Sequence, residues 1–411
     1  MPKRHAVVAG AGIGGLTAAL ALHRRGWRVT VCERAPEQPV TGAGIGLAPN
    51  ALRALDAIGV DAAHAAGSAV PAWMGVRASG GRWLTRTGTA YLASRYGRAP
   101  IAVPRPAFTA ALAAGLPPGT VRYGTAVTGV GQTGGRPVVR TGSGPDLPAD
   151  LVVAADGIHS PLRRAHFPAH PGPRYLGETA WRALVDAPDL DVPAMSETWG
   201  RGARFGVTPL SDGRFYLYAT AVLPAGTRSA DPRAELLRRF GSWHDPIPAL
   251  LERVGRLDAA EVLQNDLYEL AGPLPALHRG RIAWLGDAAH AMAPNLGQGG
   301  CQAIEDAVVL AHLLPPGDAP DGPRAADRPD DPGSPAAGHV PDPVASALAA
   351  YTAARRDRTD AVRVRARRVG RLGALRSPWA AAARDLAVRA TPVRLALRGM
   401  DDLFDGFHLP G

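Results

Sequence analysis

Short, mostly apolar runs are the clearest structural signal along this chain. They lie at 6–9, 28–32, 151–155 and 281–285, and Arg28, Thr30 and Arg281 are the polar residues within them. Runs of this length without alternation are typical of strands that are buried on both faces of a parallel sheet. Helical spacing of apolar residues follows the first run at 16–25 and follows the last one from Cys301 onward. The pattern therefore predicts an α/β fold that begins as a Rossmann-like strand, helix and strand.

A different periodicity governs the middle of the chain, between about 173 and 276. Here apolar and polar residues alternate, with Tyr216 and Tyr218 on one side of a predicted strand. The turn before this strand is 211–213, Ser-Asp-Gly, and its length decides the register. A two-residue loop pairs 209 with 216 and sends Arg204 to the opposite face, whereas a three-residue loop pairs 208 with 216 and groups Arg204 with both tyrosines. Both registers are open from the sequence.

The C-terminal part returns to helical spacing at about 344, after a segment of Pro, Asp, Gly and Ala that has almost no apolar residues. Such a segment has no side chains with which to join a core, so it is predicted to be a flexible insert. The predicted division is a discontinuous dinucleotide-binding domain at 1–70, 101–172 and 277–314, a β-rich substrate domain at 71–100 and 173–276, an insert at 315–343, and C-terminal helices at 344–411.

Composition fits a folded protein, with 46% hydrophobic and 20% charged residues. The formal net charge is +10, and nine arginines but only two aspartates lie within 355–376. We predict a solvated helix face there, and no nucleic-acid partner, because no recognition motif accompanies the charge. No apolar run is long enough for a transmembrane segment. Two cysteines, Cys32 and Cys301, cannot build a disulfide framework or a metal site, which favours a cytoplasmic location.

The glycines that follow the first strand match the pattern G-x-G-x-x-G at 10–15. Gly10 makes the tight turn, Gly12 lets backbone N–H groups approach a pyrophosphate, and Gly15 packs the helix against the strand. The helix N-terminus then presents its partial positive charge to the phosphates. Glu33, at the end of the second strand, is placed to accept hydrogen bonds from an adenosine ribose. The unit predicts dinucleotide binding but does not separate NAD from FAD.

Two further motifs follow the other buried strands. Asp156 and Gly157 come after the run at 151–155, and a helix start follows with Ser160 as its N-cap. The segment 286–300 reads GDAAHAMAPNLGQGG and leads into the helix from Cys301. Parallel strands carry binding sites at their carboxyl ends, so these motifs are predicted to share one edge of the sheet.

These three motifs, in this order, resemble those of the FAD-dependent single-component aromatic hydroxylases. The run GQGGCQAIED at 297–306, the loop at 42–50 and the pair Trp181-Arg182 are most similar to the urate hydroxylase and zeaxanthin epoxidase branches, and the family also includes salicylate hydroxylase. The resemblance covers about 1–314 and the helix at 344–372. It implies FAD as cofactor, held by Gly10, Gly12, Gly15, Glu33, Arg34, Gly46, Arg105, Asp156, Asp287, Pro294, Gly297, Gly299 and Gly300.

The resemblance also implies the chemistry. NADPH or NADH reduces FAD, O2 adds to give a C4a-hydroperoxyflavin, and one oxygen atom passes to an aromatic or heteroaromatic small molecule. Helix-terminal N–H groups at 297–300 would then stabilise negative charge on the reduced flavin. Arg182 or Arg204 would hold an anionic substrate or a phenolate, and Tyr216 would pass a proton. Trp181 and Trp199 are predicted to line a dry pocket, and His290 is predicted to be a packing residue.

Alternatives of two kinds stay open from the sequence. Epoxidation or Baeyer–Villiger oxygenation on the same scaffold differs from hydroxylation only in the substrate pocket. A flavin-binding protein that sequesters an intermediate without turnover shares every cofactor motif. A flavin halogenase is disfavoured because the Trp-x-Trp-x-Ile motif is absent and Lys3 is the only lysine. The substrate, the choice between NADH and NADPH, and a monomeric or homodimeric state are not decided by these residues.

Overall fold

A computed structural model describes residues 3–38, 43–62, 70–318 and 342–410. Its strands, numbered in chain order, are β1 (His5–Ala9), β2 (Arg28–Cys32), β3 (Gly44–Leu47), β4 (Trp73–Ala78), β5 (Trp83–Gly88), β6 (Ile101–Pro104), β7 (Val121–Arg122), β8 (Val127–Thr133), β9 (Arg136–Thr141), β10 (Leu147–Pro148), β11 (Leu151–Ala154), β12 (Pro173–Asp186), β13 (Ala194–Trp199), β14 (Ala203–Pro209), β15 (Arg214–Val222), β16 (Leu263–Leu270), β17 (His278–Arg279) and β18 (Ile282–Trp284). Its α-helices are α1 (Ile13–Arg24), α2 (Pro49–Ala57), α3 (Thr89–Tyr96), α4 (Arg105–Ala114), α5 (Pro161–His166), α6 (Pro232–Phe240), α7 (Ile247–Val254), α8 (Asp287–His290), α9 (Gly299–Leu313), α10 (Pro343–Gly373), α11 (Pro378–Ala390) and α12 (Val393–Phe404), with short 3-10 helices at Ala259–Glu261 and Pro294–Leu296.

A largely parallel sheet forms the first layer, in the strand order β17-β18-β11-β1-β2-β7. β1 lies between β2 and β11, and β18 continues the sheet parallel to β11. All four residues of β11 are buried, as are all five of β1, because helices cover both faces. Ala9, Ala154 and Trp284 lie in register with one another, so β1, β11 and β18 end at the same edge. The predicted α/β fold with this convergence of motifs is confirmed.

The second large sheet has the strand order β16-β12-β15-β14-β13-β4-β5. One face, which we call the outer face, carries Phe205, Leu217 and Ala219 and packs against α6 and α7. Trp181 lies directly opposite Ala219 and belongs to this buried cluster. The prediction that Trp181 lines the substrate pocket is therefore wrong, because alternation on β12 turns its indole away from the other face.

The opposite face of this sheet, the inner face, is set by the hairpin between β14 and β15. Thr208 pairs with Tyr216 and Arg204 pairs with Thr220. The turn is the three-residue form, since Leu210 bonds to Arg214 and Gly213 has a φ of 81°. Of the two registers left open by the sequence, the structure has the one that groups Arg204 with Tyr216 and Tyr218. Trp199 lies opposite Arg204 and shares the inner face.

Helix α10 joins the two sheets. Tyr351 near its start donates a hydrogen bond from its hydroxyl to the carbonyl of Trp284 at 2.9 Å, whereas Arg367 near its end pairs with Glu269 of β16. The predicted solvated arginine face is wrong for part of this helix. Arg355 is 2% exposed and Arg363 is 4% exposed, because both face carboxylates or carbonyls of neighbouring elements.

The predicted insert at 315–343 falls mostly outside the described residues, which stop at 318 and resume at 342. The helix starts predicted at Ser160 and near 344 are present. Ser160 accepts a hydrogen bond from the N–H of Arg163 at 2.8 Å, and Asp342 caps α10. Within the described ranges, no helix is long and apolar enough to cross a membrane.

Candidate functional site

The glycine turn after β1 has the backbone geometry that the sequence predicts. Gly10 has a φ of 102°, and a Cβ there would lie 2.5 Å from the carbonyl oxygen of Ala155. A Cβ on Gly15 would lie 2.0 Å from the carbonyl oxygen of Gly10. Only glycine fits these two positions, since any side chain would push β1, α1 and β11 apart. The turn thus holds the start of α1 close to the sheet edge.

Gly12 differs from its neighbours because nothing lies within 4 Å of the place where its Cβ would be. Gly12 is also the N-cap of α1, and no side chain accepts a hydrogen bond there. The first N–H groups of the helix therefore face open space with their hydrogen-bonding capacity unused. This cradle suits a pyrophosphate, which combines negative charge with oxygen acceptors.

Glu33 follows β2 at the same edge. Its two carboxylate oxygens accept hydrogen bonds from the N–H groups of Ala11 and Ala35, at 2.7 and 2.8 Å. These bonds fix the carboxylate beside the glycine turn, with acceptor lone pairs left for a diol. Arg34, next in the chain, is exposed. The position suits the ribose hydroxyls of an adenosine.

Asp156 lies after β11, beside Gly10. One of its oxygens accepts a weak hydrogen bond from the N–H of Leu162 at 3.3 Å, whereas the other is buried and has no partner among the described residues. Burial raises the pKa of Asp156, although a hydrogen bond from Ser160 acts in the opposite direction. A buried oxygen without a partner is costly, so this carboxyl is suited to a group that donates to it.

The third motif follows β18 and forms the other wall of this edge. Asp287 is exposed at the first position of α8, after Gly286, whose φ is 57°. A Cβ on Gly299 would lie 4.0 Å from an Asp287 carboxylate oxygen, so the two segments face each other. Helix α9 begins at Gly299 and has no side-chain cap. Gly297 has a φ of 62° and open space at its Cβ position, so these N–H groups are accessible to a planar ring.

The remaining predicted cofactor residues border the same space. Gly46 on β3 and Pro294 before the α9 loop are both exposed, and nothing lies within 4 Å of a Cβ on Gly46. A Cβ on Gly300 would meet the side chain of Ile45 at 2.7 Å, which brings β3 against the start of α9. Arg105 opens α4 with an exposed side chain, and its N–H donates to the carbonyl of Ala43. The structure thus brings all three motifs to one edge.

A buried charged cluster supports this edge from behind, and sequence reasoning missed it. Asp306 accepts hydrogen bonds from the N–H of Gly286 at 3.1 Å and from His290 at 2.5 Å, and Arg355 bonds its other oxygen at 2.7 Å. Arg355 also pairs with Glu305. Burial would raise the pKa of Asp306, but His290 and Arg355 lower it to about 2. His290, predicted to be a packing residue, is 4% exposed and also connects the Asp287 loop to Asp306.

Arg204 on the inner face is 2% exposed, and its donors are engaged within the protein. Its Nη2 donates to Glu178 at 2.8 Å, its Nε donates to Thr220 at 3.1 Å, and its Nη1 bonds the side chain of Asn295. Glu197 lies 3.8 Å from the same guanidinium. Burial would lower the pKa of Arg204, but Glu197 and Glu178 raise it above the ordinary value. The guanidinium is thus a fixed bridge from the sheet to the loop before Gly297.

The two tyrosines of the inner face have different surroundings. Tyr218 donates to Glu197 at 2.6 Å, and its ring needs Gly206 opposite, where a Cβ would lie 2.0 Å from a ring carbon. Tyr216 packs against β3, where a Cβ on Gly44 would lie 2.7 Å from its side chain. Burial raises the pKa of Tyr216, although Arg182 and Arg105 act in the opposite direction. Arg182 and Tyr216 therefore lie together where the sheet meets the predicted cofactor edge.

Two glycines of α10, which sequence reasoning did not single out, complete this junction. A Cβ on Gly370 would lie 2.1 Å from the side-chain nitrogen of Asn295, and one on Gly373 would lie 2.7 Å from a side-chain carbon of Arg204. Two glycines three residues apart inside a helix indicate that another segment packs closely against that face. This signal could have identified both residues from the sequence. Helix α10 therefore packs closely against both the inner face of the sheet, at Arg204, and the loop before Gly297, at Asn295.

Comparisons with known proteins agree with this geometry. Residues 3–315 match the family model described as an FAD binding domain. The chain is 38% identical over 310 residues to the aurachin C monooxygenase/isomerase of Stigmatella aurantiaca, which covers 75% of this chain and 80% of the relative. It is 32% identical over 407 residues to the 2-heptyl-3-hydroxy-4(1H)-quinolone synthase of Pseudomonas aeruginosa, with 97% of each chain covered. Klebsiella pneumoniae HpxO, solved with FAD and uric acid, superposes with a TM-score of 0.84 at 30% identity, covering 98% of this chain and 97% of HpxO.

Proposed function

Because this chain belongs to the FAD-dependent aromatic hydroxylases and is an FAD-dependent monooxygenase, we propose that it hydroxylates an uncharged, electron-rich N-heteroaromatic ring of the 4-quinolone type. The co-substrates would be O2 and NADPH or NADH. The observation that carries the substrate class is the buried bridge from Arg204 to Glu178. The names of two relatives, an aurachin C monooxygenase/isomerase and a 2-heptyl-3-hydroxy-4(1H)-quinolone synthase, support the same substrate class.

The cofactor edge fits FAD. When bound, FAD would supply the means to pass two electrons from NAD(P)H to O2, chemistry that no side chain of this protein can supply. The chain's own residues would hold it: the N–H groups after Gly12 bind the pyrophosphate, Glu33 binds the adenosine ribose, and Asp287 binds the ribityl hydroxyls. The N–H groups from Gly297 to Gly300 would stabilise negative charge on the reduced ring, because they are oriented before the charge develops.

Arg204 has no free nitrogen with which to bind an anion, because Nε, Nη1 and Nη2 all have hydrogen-bond partners within the protein. An anionic substrate at Arg204 would have to displace Glu178 from a bond of 2.8 Å at a site that excludes water. Removing one member of a buried pair leaves the other charge uncompensated, which costs about 3–5 kcal/mol. An uncharged ring avoids this cost. Arg204 is predicted from the sequence to hold an anion. We propose instead that it positions the loop before Gly297 through its bond to Asn295.

Arg182 and Tyr216 would contact the substrate. Arg182 has no ion-pair partner among the described residues, and it lies beside the Tyr216 hydroxyl. Together they can hold the carbonyl oxygen of a ring by hydrogen bonds and so position the adjacent nucleophilic carbon for attack on the activated oxygen. A Tyr216 hydroxyl whose pKa is raised stays protonated at neutral pH, so it is available as a hydrogen-bond donor.

The experiment is a comparison of substrates on the purified yellow protein. NADPH and NADH oxidation are followed with 2-heptyl-4(1H)-quinolone, urate and salicylate, and products are identified by mass spectrometry. We expect the quinolone to stimulate NAD(P)H oxidation and to gain one oxygen atom on its ring. The Glu178→Gln variant, which releases the charge of Arg204, should bind salicylate more tightly than the wild type does. Faster turnover of urate or salicylate than of the quinolone by the wild type would refute the proposal.

The same assay separates the related reactions. An epoxide or a ring-expanded lactone as product would assign epoxidation or Baeyer–Villiger oxygenation in place of hydroxylation. The predicted domain boundaries, the cytoplasmic location and the monomeric or homodimeric state stay predictions. Size-exclusion chromatography with light scattering measures the last of these directly.

A further inference from the structure

Helix α11 exposes large apolar side chains to solvent and buries an arginine, the reverse of an ordinary surface helix. Its exposed side carries Trp379, which is 86% exposed, and Leu386, which is 68% exposed. Its buried positions are Ala381 and Arg384, each 5% exposed. Trp379 and Leu386 are seven residues apart and so share one face, along which Ala383 and Ala390 are also exposed. A helix of a soluble protein normally shows the reverse arrangement.

The orientation of α11 is held by its buried arginine. Arg384 donates to the carbonyls of Gly200 and Leu372, both at 3.2 Å, and pairs with Asp385 at 2.7 Å. Its guanidinium also lies 5.2 Å from the ring centroid of Trp199. Rotating the helix to bury Trp379 would break the hydrogen bonds of Arg384 to Gly200 and Leu372. It would also separate the Arg384 guanidinium from Trp199 on β13. The outward direction of the apolar face is thus built into the fold.

The apolar surface extends beyond α11 at both ends. Leu372, at the end of α10, is 48% exposed, and Val393 and Leu395, at the start of α12, are 44% and 58% exposed. We call Leu372, Trp379, Leu386, Val393 and Leu395 the C-terminal apolar surface. Isolated exposed apolar residues need no explanation, but five large ones within 24 consecutive residues on three successive helices indicate an interaction site.

Positive charge surrounds this surface. Arg371, Arg376, Arg389 and Arg394 are all exposed, and none has an ion pair or side-chain hydrogen bond within the described ranges. Of the acidic residues nearby, Asp385 pairs with Arg384 and Asp401 pairs with Arg95 at 2.7 Å, whereas Asp402 is exposed. Four exposed arginines against this one exposed aspartate leave the rim of the apolar surface basic.

We propose that the C-terminal apolar surface docks on an anionic membrane surface. Trp and Leu side chains enter the boundary between headgroups and acyl chains, and the surrounding arginines contact lipid phosphates. Tryptophan is favoured at this boundary because its ring is apolar and its N–H is polar. The helix lies in the plane of the interface and does not cross the membrane.

The charges favour this occupant over two others. A second copy of the chain, related by a two-fold axis, would bring the four unpaired arginines of one surface against those of the other, with only Asp402 of each copy to offset them. A nucleic acid would satisfy the arginines but offers no apolar partner to Leu386 or Leu395. An anionic bilayer satisfies both features at once.

The test is flotation of the full-length, FAD-loaded protein with vesicles. One set contains phosphatidylglycerol and phosphatidylcholine in equal parts, and the other contains phosphatidylcholine alone. We expect binding to the anionic vesicles, at least about tenfold weaker binding to the zwitterionic ones, and release by high salt, which shortens the range of the electrostatic attraction. The double variant Trp379→Ser/Leu386→Ser should lose vesicle binding while its FAD absorbance is unchanged. Leu237→Ser is the matched control, because Leu237 is 53% exposed on α6 and lies outside the surface.

Four results would overturn the proposal. The first is a wild type that stays unbound with both vesicle types, and the second is a double variant that binds as the wild type does. The third is a dimer that the wild type forms without lipid, by sedimentation equilibrium, and that the double variant does not form, which would assign the surface to self-association. Duplex DNA that competes fully with vesicles for the wild type and binds the double variant equally well would assign the arginines to nucleic acid instead.

Discussion

Replacing Arg355 by methionine tests whether the buried cluster behind the cofactor edge stabilises the fold. Arg355 bonds Asp306 at 2.7 Å and the side-chain oxygen of Gln302 at 2.7 Å, and it pairs with Glu305. Methionine fills most of the same volume but leaves two buried carboxylates with one cation fewer. Arg358 still holds Glu305 at 2.8 Å, so Asp306 bears most of the loss.

The magnitude follows from the burial of these groups. Breaking a buried pair by removing one partner costs about 3–5 kcal/mol. The unfolding entropy is about 2.1 cal/mol/K per residue, which over 411 residues gives roughly 0.9 kcal/mol/K. The Tm should therefore fall by about 3–6 °C. Because Asp306 also accepts the N–H of Gly286, the variant should bind FAD more weakly than the wild type does.

Differential scanning calorimetry of the apoprotein measures the first effect, and quenching of free FAD fluorescence on titration measures the second. Arg368→Met on the same helix is the matched control, because Arg368 is exposed and has no bonded partner in the described part of the chain. An Arg355→Met protein that melts within one degree of Arg368→Met would refute the stabilising role of the cluster.

The pH dependence has a definite sign. The pKa of Asp306 is about 2 in the folded protein and about 3.9 in an unfolded chain. This lowering contributes stability that is fully present above pH ~4 and is lost as the pH falls through about 2. Arg355 is one of the charges that lower this pKa. The difference in unfolding free energy between wild type and Arg355→Met should therefore be largest near neutral pH and shrink below pH ~4, and a difference that grows in acid would contradict this assignment.

Four further predictions follow from the site. Asp287→Ala should yield colourless protein that takes up little added FAD, whereas Asp402→Ala, an exposed control, should stay yellow; a fully loaded Asp287→Ala protein would refute the cofactor role. Gly370→Ala places a methyl group 2.1 Å from the Asn295 side chain and should lower kcat by about tenfold or more, whereas Gly272→Ala, with nothing within 4 Å, should not change it. Tyr216→Phe should lower turnover, and the wild-type pH profile should show no tyrosine ionisation below pH ~10, because burial raises the pKa of Tyr216; a tyrosinate absorbance appearing below that pH would contradict this. Native protein should not react with Ellman's reagent, because burial raises the pKa of Cys301 to about 12 and also raises that of Cys32; rapid labelling of either thiol would show that its segment opens to solvent.

The sequence predicts the cofactor half of this protein well because its signals are local. The glycine turn at 10–15, the strand-end acids and the N-cap at Ser160 each depend on backbone geometry within a few residues, and the structure has all of them. Parallel strands that end in register then bring the motifs to one edge without further information.

The substrate half depends on pairings that no local pattern fixes. The two possible registers of the β14–β15 hairpin differ by one residue in the loop. The structure has the register in which Tyr218 lies opposite Gly206, where its ring has room. The face of Trp181 is set by a separate pairing, in which β12 places Trp181 opposite Ala219 of β15. Arg355 reads as one of many arginines on a helix, because its partners Glu305 and Asp306 lie about fifty residues earlier in the chain.

Helix α10 touches the flavin-binding sheet through Tyr351 and the substrate sheet through Arg367 and Gly373. At 1.5 Å per residue its 31 residues form a rod of roughly 46 Å that sets the spacing between the halves. A chimaera that exchanges the substrate sheet for that of a relative therefore has to carry the second half of this rod with it. A chimaera built in this way can change the substrate while the FAD-binding residues keep their positions.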